Sequence, residues 1–205
     1  MKILLTDAGK RFNRDWIFRH LSTEFISGSS YAIIGPNGSG KSTLLQVISG
    51  SMQQSEGQCQ WSYSDKEILH EEVYSWVSIC APYLEVIEEM TLIEFLFFHQ
   101  KFKTLIKNIK INDIIEIIGL EKAKEKQIRN FSSGMKQRVK LAQCIFSDTP
   151  IVLLDEPCTN LDLAGIDLYH NLIKQHCANR LVVVSSNDEM EYGFCDNRIL
   201  ISDYK

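Results

Sequence analysis

The run Gly35-Pro36-Asn37-Gly38-Ser39-Gly40-Lys41-Ser42 restricts what this chain can fold into more than any other stretch. It has the spacing G-x-x-x-x-G-K-[ST]. A strand-like run, Tyr31–Ile34, precedes it, and a helical stretch, Ser42–Ser49, follows and is closed by Gly50. Each residue type answers a physical need. Glycines let the backbone turn tightly, so successive N–H groups converge and cradle anionic oxygens. The helix that starts there adds partial positive charge at its N-terminus. Lys41 supplies a mobile cation for β- and γ-phosphates. The hydroxyl of Ser42, followed by Thr43, is placed to ligate Mg²⁺. A chance glycine turn needs neither the strand before it nor the helix after it. The stretch is therefore read as a phosphate-binding loop for a nucleoside triphosphate.

A second stretch fits the same chemistry. Ile151-Val152-Leu153-Leu154 is a continuous apolar run of the kind found in a buried parallel strand, and it ends in Asp155-Glu156. In open α/β sheets, ligands sit beyond the carboxyl ends of the strands, which would bring these acids near the phosphate loop. Asp155 is suited to hold Mg²⁺, directly or through its water. Glu156 is suited to orient an attacking water or take its proton. Alone, the pair would read equally well as solvated acids at a strand end. The loop upstream tips the balance.

The rest of the chain alternates. Lys2–Thr6, Trp16–Phe25, Gln58–Tyr63 and Trp76–Cys80 read as strands. From Thr91 to about Lys124 the pattern turns helical, and a further helix runs from Ser132 to Ser147. After Ile151–Leu154 come a helix (about Leu163–Cys177) and the strands Leu181–Val184 and Arg198–Ile201. Strand–helix alternation in the second half predicts a parallel core sheet, and the early strands predict an added N-terminal antiparallel β piece. The fold class is thus α/β, as a single domain over 1–205 with a helical subdomain inserted at about 91–131.

Composition narrows the function. A net charge of -4 argues against a broad nucleic-acid surface. No apolar run is long enough to span a bilayer, and Lys2 followed by only Ile3–Leu5 before Asp7 makes no signal peptide. A cytoplasmic protein is expected. The six cysteines are scattered without C-x-x-C pairs and read as reduced thiols.

Order and spacing together resemble the ATP-binding subunits of ABC (ATP-binding cassette) proteins, over about Ile3 to Ile201. Phe131-Ser132-Ser133-Gly134-Met135-Lys136-Gln137-Arg138 is similar to the family's signature motif. Glu156-Pro157-Cys158-Thr159-Asn160-Leu161-Asp162 is similar to the stretch joining the base to the dimer-contact loop. The resemblance implies ATP and Mg²⁺ as ligands. Phe12, 23 positions before Gly35, would stack on adenine. Ser132, Ser133 and Gly134 would meet the ATP held in the phosphate loop of a second copy, giving a head-to-tail homodimer with two sandwiched nucleotides. Ser132 reads equally as an ordinary N-cap, and the two roles are compatible.

The sequence departs from the family in three respects. Pro82 or Ala81 stands where a glutamine is usual, Asn187 where a histidine is usual, and Ser133 and Met135 where glycine and glutamine are commoner. Asn187 can still donate a hydrogen bond to a γ-phosphate but carries no charge. With Glu156 retained, slow but real hydrolysis is expected. The leading functional expectation is a transport ATPase subunit driving a separate membrane permease, peripheral to the cytoplasmic face, with the signature's form resembling export cassettes. The alternatives are a soluble ABC ATPase that remodels a macromolecule and a nucleotide-dependent scaffold with little hydrolysis.

Overall fold

Alternating inward and outward side chains build the start of the chain. In the computed structural model, which describes residues 1–205, β1 (Lys2–Phe12) pairs antiparallel with β2 (Asp15–Ile26), Ile3 opposite Phe25 and Phe12 opposite Asp15. Ile3, Leu5, Phe18, Leu21 and Phe25 all point into the core. β1 runs on well past Thr6 because Asp7, at φ 47, is absorbed as a bulge. There its N–H donates to Ser22 Oγ at 2.9 Å. On the other side of β1 lies β4 (Glu56–Tyr63), followed by β5 (Lys66–Ile68), in the order β2-β1-β4-β5.

A second sheet is built on parallel pairings. Its strands are β3 (Ser30–Ile34), β6 (Val77–Cys80), β7 (Ile151–Asp155), β8 (Leu181–Ser186) and β9 (Asn197–Leu200), in the order β6-β7-β8-β3-β9. Every residue of β7 and β8 is buried, which explains their continuous apolar runs. Helix α1 (Lys41–Ile48) puts Leu44, Leu45, Val47 and Ile48 into the same core as Ile33, Leu153 and Val183. Each such fully buried side chain contributes about 1.5–3 kcal/mol through removal from water. Two short helices, α2 (Val73–Trp76) and α7 (Glu189–Tyr192), complete this unit, which comprises Met1–Ile79, Thr149–Glu156 and Ala178–Lys205.

The other compact unit is Cys80–Asp148 with Pro157–Cys177, and the stretch 91–131 lies within it. Its helices are α3 (Leu92–Gln100), α4 (Ile111–Ile117), α5 (Ser133–Ile145) and α6 (Leu163–His176). Caps fix their starts. Thr91 and Glu94 form a reciprocal capping box on α3, Ser132 Oγ accepts from Met135 N–H on α5, and Asp162 Oδ1 accepts from Gly165 N–H on α6. The expected continuous helical pattern from Thr91 to Lys124 is corrected here. Residues 101–110 are irregular, because tertiary pairing overrides local propensity. Ile106 N–H donates to Phe146 O, Asp148 N–H to Thr104 O, and Leu105 bridges Ser147. No helix in the chain is long and apolar enough to cross a membrane.

Candidate functional site

Three loops leave the same edge of the parallel sheet. β7 and β8 are neighbours with Asp155 opposite Ser185, and β8 and β3 are neighbours with Ile34 opposite Ser186. The next residues in each chain segment are Glu156, Asn187 and Gly35. The strand order thus gathers the phosphate loop, the acidic pair and Asn187 at the carboxyl ends of three adjacent strands, where α/β sheets bind ligands.

The loop conforms to the needs of an anion. Gly40, the residue before α1, has φ +105, and a Cβ built on it would lie 2.4 Å from Ile17 Cγ2. Only glycine therefore lets the loop settle against β2 while leaving the first N–H groups of α1 uncapped. Lys41 is buried, and its Nζ donates to the carbonyls of Gly35 (2.9 Å) and Pro36 (3.3 Å). Ser39 Oγ is buried with no hydrogen-bond partner in the chain. An uncapped helix start, a buried ammonium and an orphaned hydroxyl together fit a phosphate group. Ile17, Asn37, Gly38, Gly40, Lys41, Ser42, Thr43 and Glu156 line a cavity of about 220 Å³ here.

The carboxylates are set differently from each other. Asp155 is buried, and Ser185 Oγ donates to its Oδ1 at 2.7 Å, which fixes the plane of the carboxylate. Ser42 and Asp155 are the oxygen donors that could hold Mg²⁺. Glu156 adopts φ 44, a backbone conformation that costs a non-glycine residue energy and that is common where side chains are aimed for function. Its N–H donates to Ser185 O at 2.9 Å. Asn187 Nδ2 donates to Asn37 Oδ1 at 3.3 Å, so the amide standing in the histidine position touches the phosphate loop directly. Phe12 ends β1 and is 46% exposed, with Lys10 Nζ 5.3 Å from its ring centre. It is not among the residues lining the 220 Å³ cavity. Ile17 and Ser185 were not singled out in the sequence. Cross-strand register places both, and no local pattern marks them.

In the second unit, Ser132 sits at the start of α5 and Gly134 lies so close to the loop before α6 that a Cβ would come within 2.9 Å of Asn160 O. A cavity of about 720 Å³ opens over Ser132, Ser133 and Gly134, bounded by 119–123, Lys126, Met135, Arg138 and 160–162. Gln137 is buried and its Nε2 donates to Pro157 O at 2.6 Å. At the departure from the family pattern, Ala81 is buried and Pro82 exposed. The Pro82 carbonyl accepts from Lys140 Nζ at 3.2 Å.

The profile of the ABC transporter family matches residues 18–159, from the second strand through the acidic pair. The chain belongs to the ABC transporter family. An uncharacterized ABC transporter ATP-binding protein of Bacillus subtilis, YybJ, is 31% identical over 195 residues, covering 91% of this chain and 86% of that protein. A probable sulfate/thiosulfate import ATP-binding protein of Chlorella vulgaris is 32% identical, covering 79% and 70%. Among solved structures, a putative ABC transporter ATP-binding protein from Pyrococcus furiosus superposes over 100% of both chains with a TM-score of 0.83 at 21% identity. The chain is therefore an ABC ATP-binding subunit with the P-loop NTPase fold, and such subunits are ATPases.

Proposed function

We propose that this subunit hydrolyses Mg²⁺-bound ATP in a head-to-tail dimer of two copies and thereby drives a separate membrane permease, in the direction of export. The observation that carries the reading is the gathering of Lys41, Asp155, Glu156 and Asn187 at one sheet edge. The amides before and within α1, with Lys41, bind the triphosphate. Ser42 and Asp155 would hold Mg²⁺, which would supply charge neutralisation on the phosphates. Glu156 orients a water on the γ-phosphorus and accepts its proton. As the new P–O bond forms, the bond to the β–γ bridging oxygen breaks, and the electron pair leaves with ADP. Asn187 contributes one neutral hydrogen bond to the γ-phosphate side. Phe12 offers a face for adenine.

Ser132, Ser133 and Gly134 of one copy close over ATP held by the other, so that nucleotide is the glue of the dimer. Hydrolysis removes the γ-phosphate and releases the contact. The permease reads that opening and closing, which puts the subunit at the cytoplasmic face of the membrane without inserting in it. The direction of export is supported by the form of the signature, Ser132-Ser133-Gly134-Met135-Lys136-Gln137-Arg138.

The test is gel filtration of Glu156→Gln with ATP, which should elute near twice the monomer mass, and phosphate release by the unmodified subunit with its permease in vesicles. Release at the same rate by the unmodified subunit and Glu156→Gln would sink the motor reading in favour of a nucleotide-dependent scaffold. Accumulation of substrate on the cytoplasmic side would reverse the direction.

A further inference from the structure

The nucleotide site is short of positive charge. Lys41 is the only cationic side chain lining its cavity, where Glu156 brings a carboxylate, and Asp155 adds a second at the end of β7. The neutral Asn187 stands where a histidine would be expected. ATP carries four negative charges and Mg²⁺ cancels two, so the loaded site keeps a clear negative excess that only the α1 N-terminus and its amides offset.

Cations line the cavity of the second unit instead. The 720 Å³ cavity over Ser132–Gly134 is lined by Lys122, Lys126 and Arg138, with Glu121 and Asp162 as its acids. Arg138 and Asp162 answer each other, Nη2 to Oδ1 at 3.4 Å, and Asp162 is also occupied in capping α6. Lys122 and Lys126 are exposed, belong to no ion pair, and border the same cavity as the signature residues. Glu121 is exposed and forms no ion pair with either. A cavity of this size, bounded by two free ammonium groups, a serine hydroxyl and the start of a 13-residue helix, has the chemistry of a polyphosphate receptor.

We propose that Lys122 and Lys126 are the cations this chain contributes across the dimer, placed against the phosphates of the ATP held by the second copy. They supply in trans the positive charge that Asn187 does not supply in cis. The inference rests on the head-to-tail reading and adds to it which residues recognise the partner's nucleotide, and by what. Because the recognition is of charge, dimerisation should favour ATP over ADP and weaken with salt. Loss of four exposed charge contacts, two at each sandwiched nucleotide, predicts dimerisation weaker by roughly 10- to 100-fold.

Sedimentation velocity of Glu156→Gln with Mg²⁺ and ATP, over a protein dilution series and at rising NaCl, provides the test. Lys122→Gln/Lys126→Gln in that background should need about 10- to 100-fold more protein to dimerise and should lose much of the salt dependence. Its monomers should bind ATP by calorimetry with unchanged affinity, which also certifies the fold. Lys122→Arg/Lys126→Arg should dimerise like the parent. A parent that dimerises alongside a Gln pair that dimerises equally well overturns the role of the lysines and leaves the sandwich standing. A Gln pair that loses ATP binding as a monomer overturns it too, because the lysines then act within one copy. A parent that stays monomeric at every concentration removes the sandwich and the inference together.

Discussion

Gly40 and Ile17 meet so closely that one added methyl group at position 40 would lie 2.4 Å from Ile17 Cγ2. Two costs fall on Gly40→Ala: this overlap, and a positive φ of 105 that an alanine tolerates badly, at about 1–3 kcal/mol. Gly40→Ala should weaken ATP binding at least about 10-fold in calorimetry. Ile17→Ala/Gly40→Ala removes the overlap and keeps the backbone cost, so it should recover part of the loss and not all. Complete recovery would assign the whole effect to packing.

Lys41 is buried with its charge facing two carbonyls and the phosphate cavity. Lys41→Ala takes away a charge-assisted contact of about 1.5–3 kcal/mol or more and should abolish detectable ATP binding. An unaltered calorimetric isotherm in that variant would remove Lys41 from the site.

Glu156 and Asn187 should separate by the size of their effects. Steady-state phosphate release should fall by about 10²-fold or more in Glu156→Gln and by less in Asn187→Ala, with chelation of Mg²⁺ abolishing release in all forms. Equal losses in the two variants would mean that the amide, and not the carboxylate alone, positions the water. No histidine lines the cavity. Turnover should accordingly lack an imidazole limb in its pH profile between about pH 6 and 8.

All six cysteines are buried and none forms a disulfide, and burial pushes the thiols of Cys59 and Cys195 up from 9.0 to about 12. A group raised in the folded state stabilises it below the unfolded value, and that support is lost as pH climbs towards the folded one. The melting temperature should therefore decline from about pH 9 to 12 through these thiols. Cys59→Val should flatten part of that decline. At pH 8 the folded chain should react sluggishly with a thiol reagent and the unfolded chain rapidly.

Much of the site was legible because its residues are contiguous and chemically specific. The phosphate loop, the strand ending in Asp155-Glu156 and the N-cap Ser132 all lie where their local patterns put them. Long-range pairing decided what was not legible. β5 follows a two-residue turn, Ser64-Asp65, in which both residues have positive φ, a conformation whose usual Asn-Gly signal is missing. The stretch after Gln100 has helical composition, yet it pairs with the end of α5. The strand expected over Lys2–Thr6 runs on to Phe12, and the sheet takes in Asp7 and Gly9 at irregularities of register. Ser185 acquires its contact with Asp155 only when β7 and β8 lie side by side.

The two acceptors that hold Lys41, the oxygens of Gly35 and Pro36, are main-chain atoms. No point mutation can delete them. The resting place of this ammonium is therefore written in backbone shape and not in side-chain identity. Position 36 can drift through many residues over evolutionary time and still present the same oxygen. Variation should be tolerated there and punished at Gly40, where the shape itself is at stake.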